Sequence, residues 1–282
     1  MGIYGAVAQS AEQIAPIQEQ PRARGTLRLS TKAGPKGSAI DGLRQQGCLK
    51  ALFPRVTGHT EAILINTSGG ITGGDRLRIS ATAGAGSRLA LTTQAAERAY
   101  AAQPGPAGRL TTDLTVADGA SLAWLPQETI LFDRSALNRR LSVDLAPEAR
   151  FLMVEPIIFG RRAMGERLSA IDFDDRVEIR RAGRLIYLDA ARLNGDAEAH
   201  LDRPAIGAGA RAMAAVVFAA PEAEAQLPLV RALLPQSAGA SLLGPDLLVA
   251  RLLAPDSLAL RRMLLPLLTR LNAGPLPRSW MT

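Results

Sequence analysis

The fold is decided by the stretch RLRISATAGAGSRLALTTQ, residues 76–94, because its plan returns twice further along the chain. It consists of Arg-Leu, a strand of alternating polar and apolar residues, a short turn with Gly84 and Gly86, and a second apolar strand. The segments RLTTDLTVADGASLAWLPQ (109–127, with Gly119 at its turn) and RLSVDLAPEARFLMVEP (140–156) repeat that plan, with starts 33 and then 31 residues apart. Repeats of two strands and a turn predict stacked coils, hence a mainly β, layered fold.

A glycine-rich stretch, TSGGITGGDR (67–76), stands immediately before the first repeat. A phosphate-binding loop would need Lys and then Ser or Thr after its last glycine, but Gly74 is followed by Asp75. The glycine spacing does not fit a dinucleotide-binding loop either. We therefore expect a turn or bulge between the strands EAILINTSGG and RLRIS, shaped by Gly69, Gly70, Gly73 and Gly74.

The rest of the chain predicts one hairpin, followed by a segment in which strands and helices are mixed. RVEIRRAGRLIYLDA (176–190) predicts a hairpin with Ala182-Gly183 at its tip. After residue 205, ARAMAAVVFAA and DLLVARLLA predict strands, PEAEAQLPLVRALL a short helix, and DSLALRRMLLPLLTRLN a helix capped by Asp256. One face of that helix is leucine, which favours packing on the sheet and leaves docking of a partner as the alternative; the leucines are Leu260, Leu264, Leu267, Leu268 and Leu271.

We therefore predict stacked two-layer β-sheets, β-helix-like, with a few α-helices near the C-terminus. Residues 1–22 are polar and without pattern, which is typical of a flexible N-terminal arm, and residues 23–282 form a single β-rich domain.

Composition narrows the class of protein. The net charge of +7 is scattered and aromatic residues make up 4% of the chain, which argues against nucleic-acid binding. The single Cys48 excludes an intrachain disulfide, and no apolar run approaches the ~18 residues of a membrane span. With no signal-peptide pattern at the N-terminus, we expect a cytoplasmic protein with no membrane partner.

Enzyme sites are hard to assemble from this sequence. His59 and His200 are the only histidines, so a metal site with several imidazole ligands is impossible. Cys48 has no histidine near it in sequence and is typical of a small buried residue. We predict no catalytic residue and no tightly bound metal.

Carboxylates in apolar strands are the more informative feature. LPQETILFDRSAL holds Glu128 and Asp133, and MVEPIIFGRRAMGE holds Glu155 and Glu166. Such groups are costly unless they are paired or line a wet cavity. One interpretation pairs them with nearby arginines, such as Arg134, Arg161 and Arg162; the other places them along a polar passage. Paired carboxylates also occur in glycosidases, but this chain lacks the aromatic platforms that carbohydrate sites use.

Five segments, taken together, resemble the UreD (also called UreH) family of urease accessory proteins in order and spacing over residues 24–282. They are LINTSGGITGGDRL, LTTQAAERAY, WLPQETILFD, LSVDLAPEARFLMVEPIIFGRRAMGE and LPRSWMT. The resemblance implies a non-enzymatic β-rich protein that binds apo-urease and recruits UreF and the GTPase UreG. It further implies that nickel passes from the GTPase through an internal tunnel to the urease active site, where carbon dioxide carbamylates a lysine. GTP would be used by the partner, and this chain would hold nickel only in transit.

On this resemblance, the acidic residues of the matched segments are candidates for the tunnel or its mouths: Asp75, Glu128, Asp133, Glu155 and Glu166. Structural turn or interface positions are Gly69, Gly70, Gly73, Gly74, Gln94, Gln127, Gly160 and Arg161. Carboxylates exchange nickel more readily than clusters of thiolates and imidazoles, so a chain poor in Cys and His suits a conduit. A purely adhesive scaffold and a carbohydrate-acting β-stack enzyme remain the alternatives.

Overall fold

A computed structural model describes residues 21–281 of the chain. Residues 1–20 of the predicted arm lie outside the described residues, and residues 21–23 precede the first strand. The elements below are numbered in chain order.

Two β-sheets lie face to face and form most of the molecule. Sheet A has seven strands in the order β14-β13-β11-β8-β5-β1-β2. Along the chain these are β1 (Arg24–Gly34), β2 (Gly37–Gly47), β5 (Arg76–Ala83), β8 (Gly108–Val116), β11 (Ala136–Leu145), β13 (Ile171–Arg181) and β14 (Arg184–Gly195).

Sheet B has ten strands, eight of which follow the order β16-β17-β15-β12-β9-β6-β4-β3. They are β3 (Leu49–Leu52), β4 (Thr60–Asn66), β6 (Arg88–Thr93), β9 (Ser121–Leu125), β12 (Arg150–Phe159), β15 (Ala212–Ala219), β16 (Ala238–Gly244) and β17 (Leu247–Ala254). The short strands β7 (Glu97–Ala99) and β10 (Thr129–Leu131) pair with each other, and β10 also pairs with β12.

The three sequence repeats are three stacked coils, as predicted. Each places its first strand in sheet A and its second in sheet B, and successive coils pair in parallel. In sheet A, β5 pairs with β8 and β8 with β11; in sheet B, β6 pairs with β9 and β9 with β12. The mainly β, coil-stacked class expected from the repeats is thus confirmed.

The register of the third coil differs from the one that the Arg-Leu pairs suggest. Arg76 pairs with Arg109, but Arg109 pairs with Asn138 rather than Arg140. Because strand side chains alternate with a period of two, a shift of two residues keeps the same set facing inward. One inward row across sheet A therefore reads Leu77, Leu110, Arg139 and Asp175.

Sheet B is the middle layer, and its central strands, such as β12 and β15, are buried on both faces. Along β12, Phe151, Met153 and Ile157 belong to the core between the sheets, whereas Leu152 and Val154 belong to a second core under the helices. Glu155 shares the face of Met153 and Ile157, so it points between the sheets.

Among the described residues, three α-helices accompany the sheets: α1 (Ala197–Leu201), α2 (Ala223–Leu233) and α3 (Ser257–Leu271). Asp256 caps α3 as predicted, its Oδ1 accepting from the backbone N–H of Ala259 at 2.8 Å. The predicted leucine face of α3 is buried in the core over sheet B. Within residues 21–281, none of the helices is long and apolar enough to cross a membrane.

The predicted turns are also found. Ala182 (φ 48°) and Gly183 (φ 77°) form the tip between β13 and β14. The glycine-rich stretch connects β4 to β5 without a strand of its own, with Gly69 and Gly74 at positive φ. The sequence patterns predicted neither the antiparallel pair of β1 and β2 nor the edge strand β16.

Candidate functional site

A cavity of about 150 Å³ lies between the two sheets, among the stacked coils. Its wall is mostly apolar and includes Leu77, Leu110 and Leu141 of sheet A. Polar side chains interrupt that wall; they are Asn66, Thr93, Gln94, Glu97, Arg98, Thr112, Trp124, Gln127, Thr129, Arg139, Arg140 and Glu155. A cavity of this size with several polar groups has room for a group of water molecules.

One buried ion cluster joins the sheets at the cavity wall. Arg139 on β11 makes a two-pronged bond to Asp175 on β13, from Nε to Oδ1 at 2.9 Å and from Nη2 to Oδ2 at 2.6 Å. Its Nη1 lies 2.7 Å from Oε2 of Glu155 on β12, in the facing sheet. All three side chains are at least nine-tenths buried. Two carboxylates against one guanidinium leave an excess of one negative charge when both are ionised.

Further hydrogen bonds fix this cluster in place. Trp124 Nε1 donates to Glu155 Oε1 at 2.6 Å, and Arg139 Nη1 donates to Thr129 Oγ1 at 3.1 Å. Burial raises the pKa of Glu155, although the Arg139 guanidinium acts in the opposite direction. Burial lowers the pKa of Arg139, but the two carboxylates more than offset it and hold that pKa above its ordinary value. Arg139 is therefore a permanent cation.

Glu97 is the second carboxylate on the cavity, and sequence reasoning missed it. It lies half-buried on β7, and Asn66 Nδ2 donates to both of its carboxylate oxygens at 3.2 Å. Burial raises the pKa of Glu97 to about 6, against the lowering effect of Asn66. One sequence signal could have found it. In a strand Glu97 lies on the same face as the apolar Ala99, which is buried, and opposite to the exposed Arg98.

Gln127 presents an unpaired donor at the cavity. Its Oε1 accepts from Arg261 Nη1 of α3 at 2.9 Å, and its backbone N–H donates to Thr93 Oγ1 at 2.9 Å. Its Nε2 is buried and has no hydrogen-bond partner among the described residues. A buried amide N–H₂ of this kind is satisfied by water in a polar cavity.

The glycine turn lies between the cavity and a surface depression that we call the rim, lined by Tyr100, Phe132, Asp133, Arg161 and Glu166 among others. A Cβ on Gly70 would stand 2.3 Å from the Tyr100 ring and 2.7 Å from the Arg98 carbonyl oxygen, so no side chain fits there. The Tyr100 hydroxyl donates to the carbonyl of Gly69, which lines the cavity, at 3.2 Å. Tyr100 therefore contacts both the rim and the cavity wall.

Aromatic and charged groups hold the rim together. The rings of Tyr100 and Phe132 meet edge to face with centroids 5.0 Å apart, and the Arg161 guanidinium lies 4.0 Å from the centre of the Phe132 ring. Arg161 also pairs with Glu166 at 2.9 Å, and its hydrogen bonds lower the pKa of Glu166. This is the arginine pairing that the sequence offered as one interpretation. Gly160, at φ 77°, precedes Arg161 and donates its N–H to the Leu131 carbonyl at 2.9 Å.

The five predicted carboxylates are not gathered at one place. Glu155 lines the cavity, whereas Asp133 and Glu166 lie at the rim. Asp75 is buried behind the glycine turn and accepts from the backbone N–H groups of Ala23 and Thr72 at 2.7 and 2.8 Å. Glu128 lines a separate small pocket on the α3 side of sheet B.

The rim carboxylates make bonds that order the local chain. Asp133 Oδ1 accepts from the backbone N–H groups of Ser169 and Ala170 at 2.7 and 3.0 Å, just before β13. Of the predicted interface positions, Gly69, Gln94 and Gln127 line the cavity, while Gly70 contacts the rim residue Tyr100. Gly73 packs against Ala102 and Pro106.

No group of three His, Cys, Asp or Glu side chains within residues 21–281 is arranged to hold a metal ion. Cys48 is a free thiol whose pKa burial raises, which does not favour a nucleophile. What the cavity offers is two separated carboxylates, the buried Arg139 cation and an unpaired amide donor, with Arg98 and Arg140 also on its wall.

Comparison with known proteins agrees with the resemblance read from the sequence. A family model described as "UreD urease accessory protein" matches residues 23–281. The chain is 55% identical to the urease accessory protein UreD of Roseobacter denitrificans, covering 93% of this chain and 96% of that one. It is 56% identical to the UreD of Ruegeria pomeroyi (90% and 99% covered) and 45% identical to that of Agrobacterium fabrum (94% and 93% covered).

Proposed function

Since this chain belongs to the UreD family of urease accessory proteins, we propose that it binds apo-urease, recruits UreF and the GTPase UreG, and conducts nickel to the urease active site. In this proposal nickel is cargo, and the chain performs no chemistry on it. The observation that carries the conduction step is the cavity between the sheets, which places Glu97 and Glu155 in a mostly apolar wall.

The cavity suits an ion in transit because its ligands are few and separate. An ion must be bound strongly enough to enter and weakly enough to leave. Carboxylates and water satisfy that condition for a divalent ion, whereas a closed set of thiolates or imidazoles would retain it. The unpaired Gln127 amide adds a donor for the water that accompanies the ion.

We assign the predicted residues to two parts of this path. Glu155, with Glu97, lies inside, and Asp133 and Glu166 lie at the rim, where we place one mouth. Glu128 opens on the opposite side of sheet B and is our candidate for contact with a partner near α3. Asp75 and the four glycines shape the turn that separates the cavity from the rim.

The test is nickel content per active site in urease co-expressed with its other accessory proteins, with and without this chain. Co-purification of the chain with apo-urease, UreF and UreG is measured in parallel. We expect nickel loading and urease activity to collapse together without the chain, and the chain to travel with apo-urease. Normal loading in its absence, with none of those partners bound, would reject the proposal.

A further inference from the structure

We propose that Arg139 is a built-in cation that occupies what would otherwise be a divalent-cation site between Glu155 and Asp175, and so prevents the cavity wall from retaining metal. The first half of this inference concerns the chain alone. The second half rests on the proposed conduction of nickel.

The geometry around Arg139 is that of a cation site already filled. Oxygens from three side chains converge on one guanidinium: both oxygens of Asp175 at 2.6 and 2.9 Å, Oε2 of Glu155 at 2.7 Å and Oγ1 of Thr129 at 3.1 Å. Two of these groups carry negative charge, and they come from opposite sheets. Oxygen ligands of this kind also hold hard divalent cations.

The row in which Arg139 stands carries no charge in the two preceding coils. The preceding coils place Leu77 and Leu110 at the paired inward positions of sheet A. A neutral residue at position 139 would leave Glu155 and Asp175 buried without a counter-ion, which is strongly unfavourable. Either protons or another cation would then have to neutralise them.

Arg139 also shapes what a passing ion meets. With the guanidinium in place, Glu155 is paired within the wall at Oε2, and its Oε1 accepts from Trp124 Nε1 at 2.6 Å. Glu97, held by the neutral Asn66 amide, is then the carboxylate available to the ion. One available carboxylate binds a divalent ion weakly, as conduction requires.

The experiment measures binding of nickel chloride to the purified full chain and to the Arg139→Gln variant by equilibrium dialysis at pH 7.5. We expect the variant to bind nickel about tenfold or more tightly than the wild type. Nickel should also raise the melting temperature of the variant and not that of the wild type. Two control variants separate charge from packing: Arg139→Lys keeps a cation at the position, and Arg139→Gln with Glu155→Gln removes one carboxylate of the site.

Both controls are expected to show wild-type nickel affinity. Equal affinity of Arg139→Gln and wild type would overturn the proposal, as would the same gain in the double variant. If Arg139→Gln does not fold in metal-free buffer, refolding from urea with and without nickel takes the place of dialysis. If the folded circular-dichroism signal returns only when nickel is present, the result supports the site. If the signal does not return with nickel, the result rejects the site.

The dialysis uses no urease, so its outcome does not depend on the proposed function. The second half of the inference is tested separately, by nickel loading of urease with the Arg139→Gln chain in the full assembly. A chain that retains nickel should lower loading while co-purification stays normal. Tight nickel binding without any change in loading would keep the site and reject its role in conduction.

Discussion

Glu97 and Glu155 both bring a carboxylate into the cavity, but their surroundings differ. Glu155 faces a fixed guanidinium at 2.7 Å, whereas the side-chain donor to Glu97 is the neutral amide of Asn66. Burial raises the pKa of Glu97 to about 6 because the hydrogen bonds from Asn66 and the Arg98 backbone N–H, with the Arg98 charge, do not offset the loss of water. Glu97 is thus costly in its ionised form, and this cost can be measured.

We predict that Glu97→Gln stabilises the chain at pH 7 but not at pH 4. Between the ordinary Glu pKa of 4.5 and the folded value of about 6, the folded chain keeps a proton that the unfolded chain has lost. The stability of the wild type therefore falls as pH rises through this window. Gln carries no such proton, so its advantage above pH 6 should approach at most about 2 kcal/mol, reduced by water in the cavity.

Urea unfolding of both proteins from pH 4 to pH 8 checks this prediction. The matched control is Glu148→Gln, which changes an exposed carboxylate on the turn between β11 and β12. Its effect should not vary through the same pH window. A constant difference between Glu97→Gln and wild type across the range would show that Glu97 is not held at a raised pKa.

The sequence could predict part of this site. Glu155 was recognisable because a carboxylate among Met153, Val154, Ile157 and Ile158 has to be paired or wet. Arg139 and Glu97 were not, because each lies in a locally polar segment and is buried by strands distant in sequence. The partners of Arg139 are 16 and 36 residues away, at Glu155 and Asp175, and nothing local indicates that the three meet.

At the level of elements, most of the fold could be predicted from the three sequence repeats. The period of two strands per coil predicted which strands stack, because alternation and turn glycines are local properties. The pattern did not predict the register of the third coil. The repeated Arg-Leu pair suggested that Arg140 pairs with Arg109, but Asn138 does so. A shift of two residues leaves every side chain on its original face, so the local pattern cannot detect it.

The C-terminal segment is the element that holds α3 to the cavity wall. Trp280, 1% exposed, donates from Nε1 to the Leu125 carbonyl at 2.9 Å. Arg261 of α3 bonds both Gln127 and the Ser279 carbonyl, and its guanidinium lies 5.1 Å from the centre of the Trp280 ring. The C-terminal segment around Trp280, helix α3 and the loop between β9 and β10 that holds Gln127 are therefore joined by hydrogen bonds into one unit.

We predict that Trp280→Ala lowers the free energy of unfolding by about 3–5 kcal/mol, the usual cost of removing a large buried aromatic side chain. The exposed neighbour Met281, 70% exposed, gives the matched control Met281→Ala, which should cost little. Chemical unfolding followed by circular dichroism measures both. Similar small effects for the two variants would mean that the tail does not hold α3 as described.

On the scale of the whole molecule, three layers position the cavity. Sheet A and sheet B enclose it, and helices α2 and α3 cover the other face of sheet B. A scaffold and a conduit both need this architecture and its outer surfaces. The property that separates them is whether the space between the sheets must stay open.

Filling that space tests the conduit most directly. Thr112, on β8, is buried and lines the cavity, so Thr112→Phe would place an aromatic ring in it. Thr115, exposed on the same strand, gives the matched control Thr115→Phe. Both chains must first show wild-type urea unfolding and normal co-purification with apo-urease.

The deciding measurement is nickel content per active site in urease matured with each of these chains. Conduction through the cavity predicts that Thr112→Phe lowers nickel loading while assembly is unchanged, and that Thr115→Phe loads urease as the wild type does. Full loading with a folded, assembled Thr112→Phe chain would contradict conduction and leave a scaffold that only binds its partners.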